Sequence, residues 1–148
     1  MANSNITPRL QVEAKRLAEV FPADHEWFWD EATSSLLTVL RGAECEGIQE
    51  ALTTTCKSAW DHESAEKINS PLQGLMKKLM GVHKGQTLHT TPLSNHLTLF
   101  ATYWPWVGGS RVSIRIGVYN DSAEENESGA YADALKKAFH ADQPIYFR

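Results

Sequence analysis

The chain reads as one α+β domain, with N-terminal helices packed on one face of a three- or four-stranded antiparallel sheet and a further helix near the C-terminus. Three observations predict this class. The 148 residues, 42% apolar and 22% charged, suit a single globular core, so residues 1–148 are taken as one domain without a linker or repeat. Apolar residues recur at helical spacing up to about Gly81 and alternate from about Gln86 onward. The two clearest alternating runs are separated by Pro105-Trp106-Val107-Gly108-Gly109, a turn-rich loop that fits a hairpin, whereas the spacing leaves no room for parallel βαβ units.

Each element has its own warrant. Thr7-Pro8 supplies an N-cap and a first-turn proline, and Leu10, Ala14, Leu17 and Phe21 form the stripe of a helix that stops before Pro22. Asp24 as N-cap, with Trp29, Leu36, Leu37 and Leu40 before Gly42, predicts a second helix. A third is expected from Glu44 to Trp60 through Cys45, Ile48, Leu52 and Cys56, although Thr53-Thr54-Thr55 lowers its propensity. Ser70-Pro71-Leu72-Gln73 reads as the start of a fourth, with Leu72, Leu75, Met76 and Leu79 on its apolar face and Gly81 at its end. Strands follow at Gln86–Thr91, His96–Trp104 and Arg111–Tyr119. An acidic loop from Asp121 to Gly129 then leads to a helix bearing Ala130, Ala134, Leu135 and Ala138, and Ile145–Phe147 reads as an edge strand.

Charge is spread unevenly. Residues 1–66 carry twelve acids and five bases, residues 67–120 carry six bases and no acid, and residues 121–148 carry six acids and three bases, for a net charge of −4. An acid-free stretch of that length makes a local positive surface, or else its cations pair with the acidic helices around it.

Motifs for chemistry are scarce. Asp24-His25-Glu26 and Asp61-His62-Glu63 offer imidazoles and carboxylates, but neighbours on a helix point about 100° apart and cannot converge on one ion; capping explains these residues. His83, His89 and His96 lie close in sequence, yet their offsets match no metal-ligand spacing, so neither a metal nor a cofactor is expected. The chain has no nucleophile elbow, no phosphate-cradling glycine loop and no dinucleotide fingerprint. Cys45 and Cys56 are separated by three helical turns, about 16 Å, in the expected third helix, too far to bridge. Free thiols and a start that does not read as a secretory signal predict a cytoplasmic protein. No apolar run is long enough for a membrane span.

The remaining signal is the hairpin. Thr98, Phe100, Thr102 and Trp104 share one face of its first strand, and Leu97, Leu99, Ala101 and Tyr103 share the other. With Val112, Ile114 and Ile116 turned inward, Phe100 and Trp104 are expected outside, beside Arg111 and Arg115, with Trp106 at the loop tip. Such a face has the composition of a protein-interface centre. A covering helix or loop would instead make it a second core. The expectation is a small, acidic, non-enzymatic module, regulatory or of the inhibitor or immunity type, that binds another protein through Phe100, Trp104, Trp106, Arg111 and Arg115 or through its acidic helices. The alternative is phosphate or single-stranded nucleic-acid binding by Lys77, Lys78, Lys84, Arg111 and Arg115. A minority alternative is an unfamiliar enzyme centred on His83, His89 and His96.

Overall fold

A computed structural model describes residues 6–68, 72–121 and 128–141, with the side chains of 6, 7 and 128–130 excepted. In chain order the elements are α1 (Ile6–Ala18), β1 (Phe28–Asp30), β2 (Ser35–Arg41), a 3-10 turn (Gly42–Cys45), α2 (Ile48–Thr55) and β3 (Ser58–Trp60). They continue with α3 (His62–Ala65), α4 (Gln73–Lys78), β4 (Thr87–Pro92), β5 (Leu97–Pro105), β6 (Arg111–Asn120) and α5 (Ser128–Ala138). The six strands form one antiparallel sheet in the order β1-β2-β6-β5-β4-β3.

Alternation sorts the sheet into two faces. On one, Leu36, Leu40, Val112, Ile114, Ile116, Leu97, Leu99 and Ala101 pack against Leu10, Ala14 and Leu17 of α1, Ile48 and Leu52 of α2, and Leu135 and Phe139 at the end of α5. The other face carries a second core, in which Leu88 and Phe100 meet Ala65, Ile68, Leu75, Leu79 and Val82 from the region of α3 and α4, flanked by half-buried Trp60, Trp104 and Tyr119. The molecule is therefore α+β in three layers rather than two. Among the described residues the sheet has six strands, not three or four, and helices cover both faces rather than one.

Two expected helices dissolve into sheet. The segment Asp24–Gly42 is the β1-β2 hairpin, with Trp29 register-paired to Leu36. Leu36 and Leu40, four apart, satisfy a strand's period of two as well as a helix's period near four. Thr38 between them is buried on the same face, which only a strand allows. The segment Glu44–Trp60 breaks into the 3-10 turn, α2 and β3. The hydroxyls of Thr53 and Thr54 donate back to the carbonyls of Gln49 and Glu50, and the backbone is extended by Cys56. The fourth helix survives only as six residues in α4, and a separate short helix, α3, precedes it. The helix around Leu10 to Leu17, the strands β4, β5 and β6, the hairpin between the last two, and α5 lie where alternation and spacing put them. The Ser70-Pro71 cap, the interior of the acidic loop and the Ile145–Phe147 strand fall outside the described residues. Among the described residues no helix is long and apolar enough to cross a membrane.

Candidate functional site

The expected binding face divides in two. Over β5 and β4 it is closed. Phe100 is 1% exposed beneath α4, and its ring lies against Gly117, where an added Cβ would come within 2.8 Å of it. Trp104 is half-buried against the same core, and its Nε1 is buried without a hydrogen-bond partner among the described residues. Phe100 is therefore a core residue, not a contact residue, because its strand carries a packed layer on each side.

Arg115 is also withdrawn from the surface. Its Nη1 donates to Asp30 Oδ2 at 2.6 Å, to Thr33 Oγ1 at 2.7 Å and, more distantly, to Ser35 Oγ at 3.3 Å. Thr33 in turn donates to Asp30, so the β1-β2 turn and β6 are stitched by one charge-assisted cluster. Hydrogen bonding from Arg115, reinforced by Thr33, holds the Asp30 carboxyl below its ordinary pKa.

Over β2 and the start of β6 the face is different. Among the described residues, half-buried Leu37 and Val39 belong to neither core. At its end Arg41 and Arg111 are direct register partners and both are exposed. Paired residues of antiparallel strands share a face, so two guanidinium side chains stand opposite one another. Among the described residues neither has a carboxylate within ion-pair distance; Glu44 beside them accepts from the backbone N–H of Arg41 instead. The Arg111 guanidinium lies 5.4 Å from the centre of the Trp106 ring. Trp106 is 43% exposed and is oriented by donating its Nε1 hydrogen to Ser113 Oγ at 2.6 Å. Gly108 and Gly109, both at positive φ, turn the loop so that the Trp106 and Arg111 backbones close on each other.

Of the other cations, Lys77 and Lys78 are exposed on α4, and Lys84 is exposed in the turn before β4, at the same sheet end as Trp106. The three histidines do not assemble. His83 is exposed in that turn, His89 is fully buried on the face under α1 and α2, and His96 is exposed at the opposite sheet end, bonded to Asp121. Among the described residues no three His, Cys, Asp or Glu side chains gather as metal ligands would. Both cysteines are free thiols; burial pushes Cys56 up to about 11 and raises Cys45 as well, so neither is an activated nucleophile.

One feature was not legible in the chain. The last turns of α1 and α5 border an open cavity of about 690 Å³ whose lining includes Phe21, Trp27, Phe139, Lys15, Lys137 and His25. Phe139 comes from 112 residues further along the chain to meet Trp27 edge-to-face at 4.8 Å, and Trp27 meets Phe21 edge-to-face at 4.9 Å. Compared with known proteins, the chain matches no family model, no curated protein and no solved structure.

Proposed function

We propose that the chain is a small non-enzymatic binding module that engages a carboxylate-bearing segment of another protein at the corner formed by Arg41, Arg111 and Trp106, with Leu37 and Val39 as the apolar floor. The opposed, uncompensated arginine pair carries this reading. Like charges directly across a ladder weaken a sheet, and the fold keeps them side by side where a single acid would relieve the strain. An arginine fork beside an exposed tryptophan is also the composition of an interface hot spot. Arg115, tied to Asp30, and Phe100, packed in the second core, lie outside this corner and make no contact with the partner. A regulatory or inhibitory role by occupation of the partner, in a reducing cytoplasm that suits two free thiols, completes the proposal. Nucleic acid is the weaker alternative, because a chain of net charge −4 offers no long-range attraction to a polyanion.

The test is fluorescence anisotropy with a labelled peptide of alternating Glu and Leu and with a labelled oligothymidine. The peptide is expected to bind, and Arg111→Glu to weaken it by about tenfold or more. Arg41→Glu should do the same while raising unfolding stability by about 0.5 kcal/mol, since it turns a repulsive cross-strand pair into an attractive one. Tighter binding of the oligonucleotide, with an affinity that falls steeply with salt, would replace the proposal by its alternative. Peptide binding indifferent to both substitutions would refute it.

A further inference from the structure

We infer that the cavity between α1 and α5 is a binding site for a small organic anion with an aromatic or apolar body and one carboxylate. Its volume, about 690 Å³, lies within the range that encloses ligands of a few hundred daltons. Its floor is already built. Phe21, Trp27 and Phe139 are each nearly fully buried, Trp27 meeting both phenylalanines edge-to-face while the two phenylalanines are tilted to one another, so the wall behind the lining is rigid before a ligand arrives.

The rim supplies the charge preference. Lys15 of α1 and Lys137 of α5 line the opening with His25 and His140, against one carboxylate, Glu19. Among the described residues neither lysine has a carboxylate within ion-pair distance, whereas the neighbouring Lys136 is engaged over the Trp29 ring at 4.9 Å. The helix ends that meet here would repel an anion if their carbonyls were bare. They are not: the carbonyls of Lys15, Leu17 and Ala18 accept from Glu19, Val20 and Phe21, and those of Leu135, Lys136 and Lys137 accept from Phe139, Ala141 and His140. His25 is held in place as well. Thr38 donates its hydroxyl hydrogen to the Glu26 carbonyl, so the 2.7 Å contact between Thr38 Oγ1 and His25 Nε2 requires His25 to be the donor, which sets its tautomer. His140 occupies the left-handed region at φ 57°, where glycine would be cheaper, and so an imidazole is kept at the rim at a conformational cost.

The experiment titrates the full chain with 2-naphthoate and with its uncharged match, 2-naphthamide, followed by NMR of the Trp27 indole N–H and the Phe139 ring. Naphthoate is expected to saturate one site at these residues and to bind about tenfold tighter than the amide. Lys15→Gln with Lys137→Gln should bring naphthoate down to the amide's affinity while leaving the amide's own unchanged, and Ala138→Trp should exclude both. Arg111→Glu should leave naphthoate binding unaltered, which separates this site from the hairpin corner. Equal affinity for the two probes, indifference to the paired lysine substitutions, or shifts centred on Trp106 instead of Trp27 would overturn the inference. So would the absence of saturation at ligand concentrations on the order of 1 mM.

Discussion

Arg115 shows how one side chain's role depends on a residue eighty-five positions away. Alternation along β6 correctly separates Arg111, Ser113 and Arg115 from Val112, Ile114 and Ile116, but it is silent on what stands opposite. The register with β2 and β1 brings Asp30, Thr33 and Ser35 there, and an expected contact residue becomes an internal tie. Arg115→Met should cost about 1–3 kcal/mol, because a half-buried carboxylate loses its charged donor. Urea denaturation with an unchanged m-value checks it, and a cost near zero would return Arg115 to the surface. Gly117 makes the same point through space. Gly117→Ala would push a methyl to 2.8–2.9 Å from the Phe100 ring and 3.2 Å from the Ser35 Cβ. Overpacking between two strands should destabilise by about 1–3 kcal/mol, read as a lowered melting temperature.

At the scale of the element, the strands with a near neighbour were the legible ones. β5 and β6 announce themselves because a short glycine-bearing loop joins them. β1 and β2 are also a hairpin, but their turn, Glu31 to Ser34, contains no glycine, proline or asparagine, and Ser34 takes the left-handed conformation at φ 50° unaided. With the breaker signal missing, a four-residue leucine spacing reads as helix. The strain left in the turn is measurable: Ser34→Gly should stabilise the chain by about 0.5 kcal/mol, the relief of the left-handed cost less the entropy of the added glycine. Calorimetry would show it as a small rise in melting temperature, and a fall would mean that Ser34 is held by contacts rather than strained. The fragmentation of Glu44–Trp60 follows the same logic. Its apolar spacing is helical throughout, but consecutive threonines turn their hydroxyls on the backbone, and the last residues pair with β4 across thirty positions.

For the whole molecule the deciding fact is the second covering layer, which converts an expected open sheet into a closed half and an open half. The opposite face, under α1 and α2, buries a histidine. His89 sits between Ala59 and Ala101 in register, small partners that leave room for its ring, and is fully buried with Nε2 bonded to Thr87 and Nδ1 without a partner among the described residues. Burial lowers its pKa from 6.5 to about 4. The unfolded chain therefore takes up the proton first as pH falls. His89's contribution is fully present above pH 6.5, is lost between pH 6.5 and 4, and amounts to about 3 kcal/mol. Unfolding measured across that window should show the loss in the native chain and much less of it in His89→Leu; equal slopes would place the acid sensitivity elsewhere. The sequence by itself determined the mixed class, the antiparallel hairpin, the inward set Val112, Ile114 and Ile116, and the acid-free stretch from 67 to 120, because these depend on spacing and composition within one segment. Only the tertiary structure decided which arginine is ion-paired and which stands over a tryptophan, that Phe100 is core, and that Phe21, Trp27 and Phe139 line one cavity. Each of these is set by pairing between segments far apart in the chain, and local periodicity holds no record of which partner arrives.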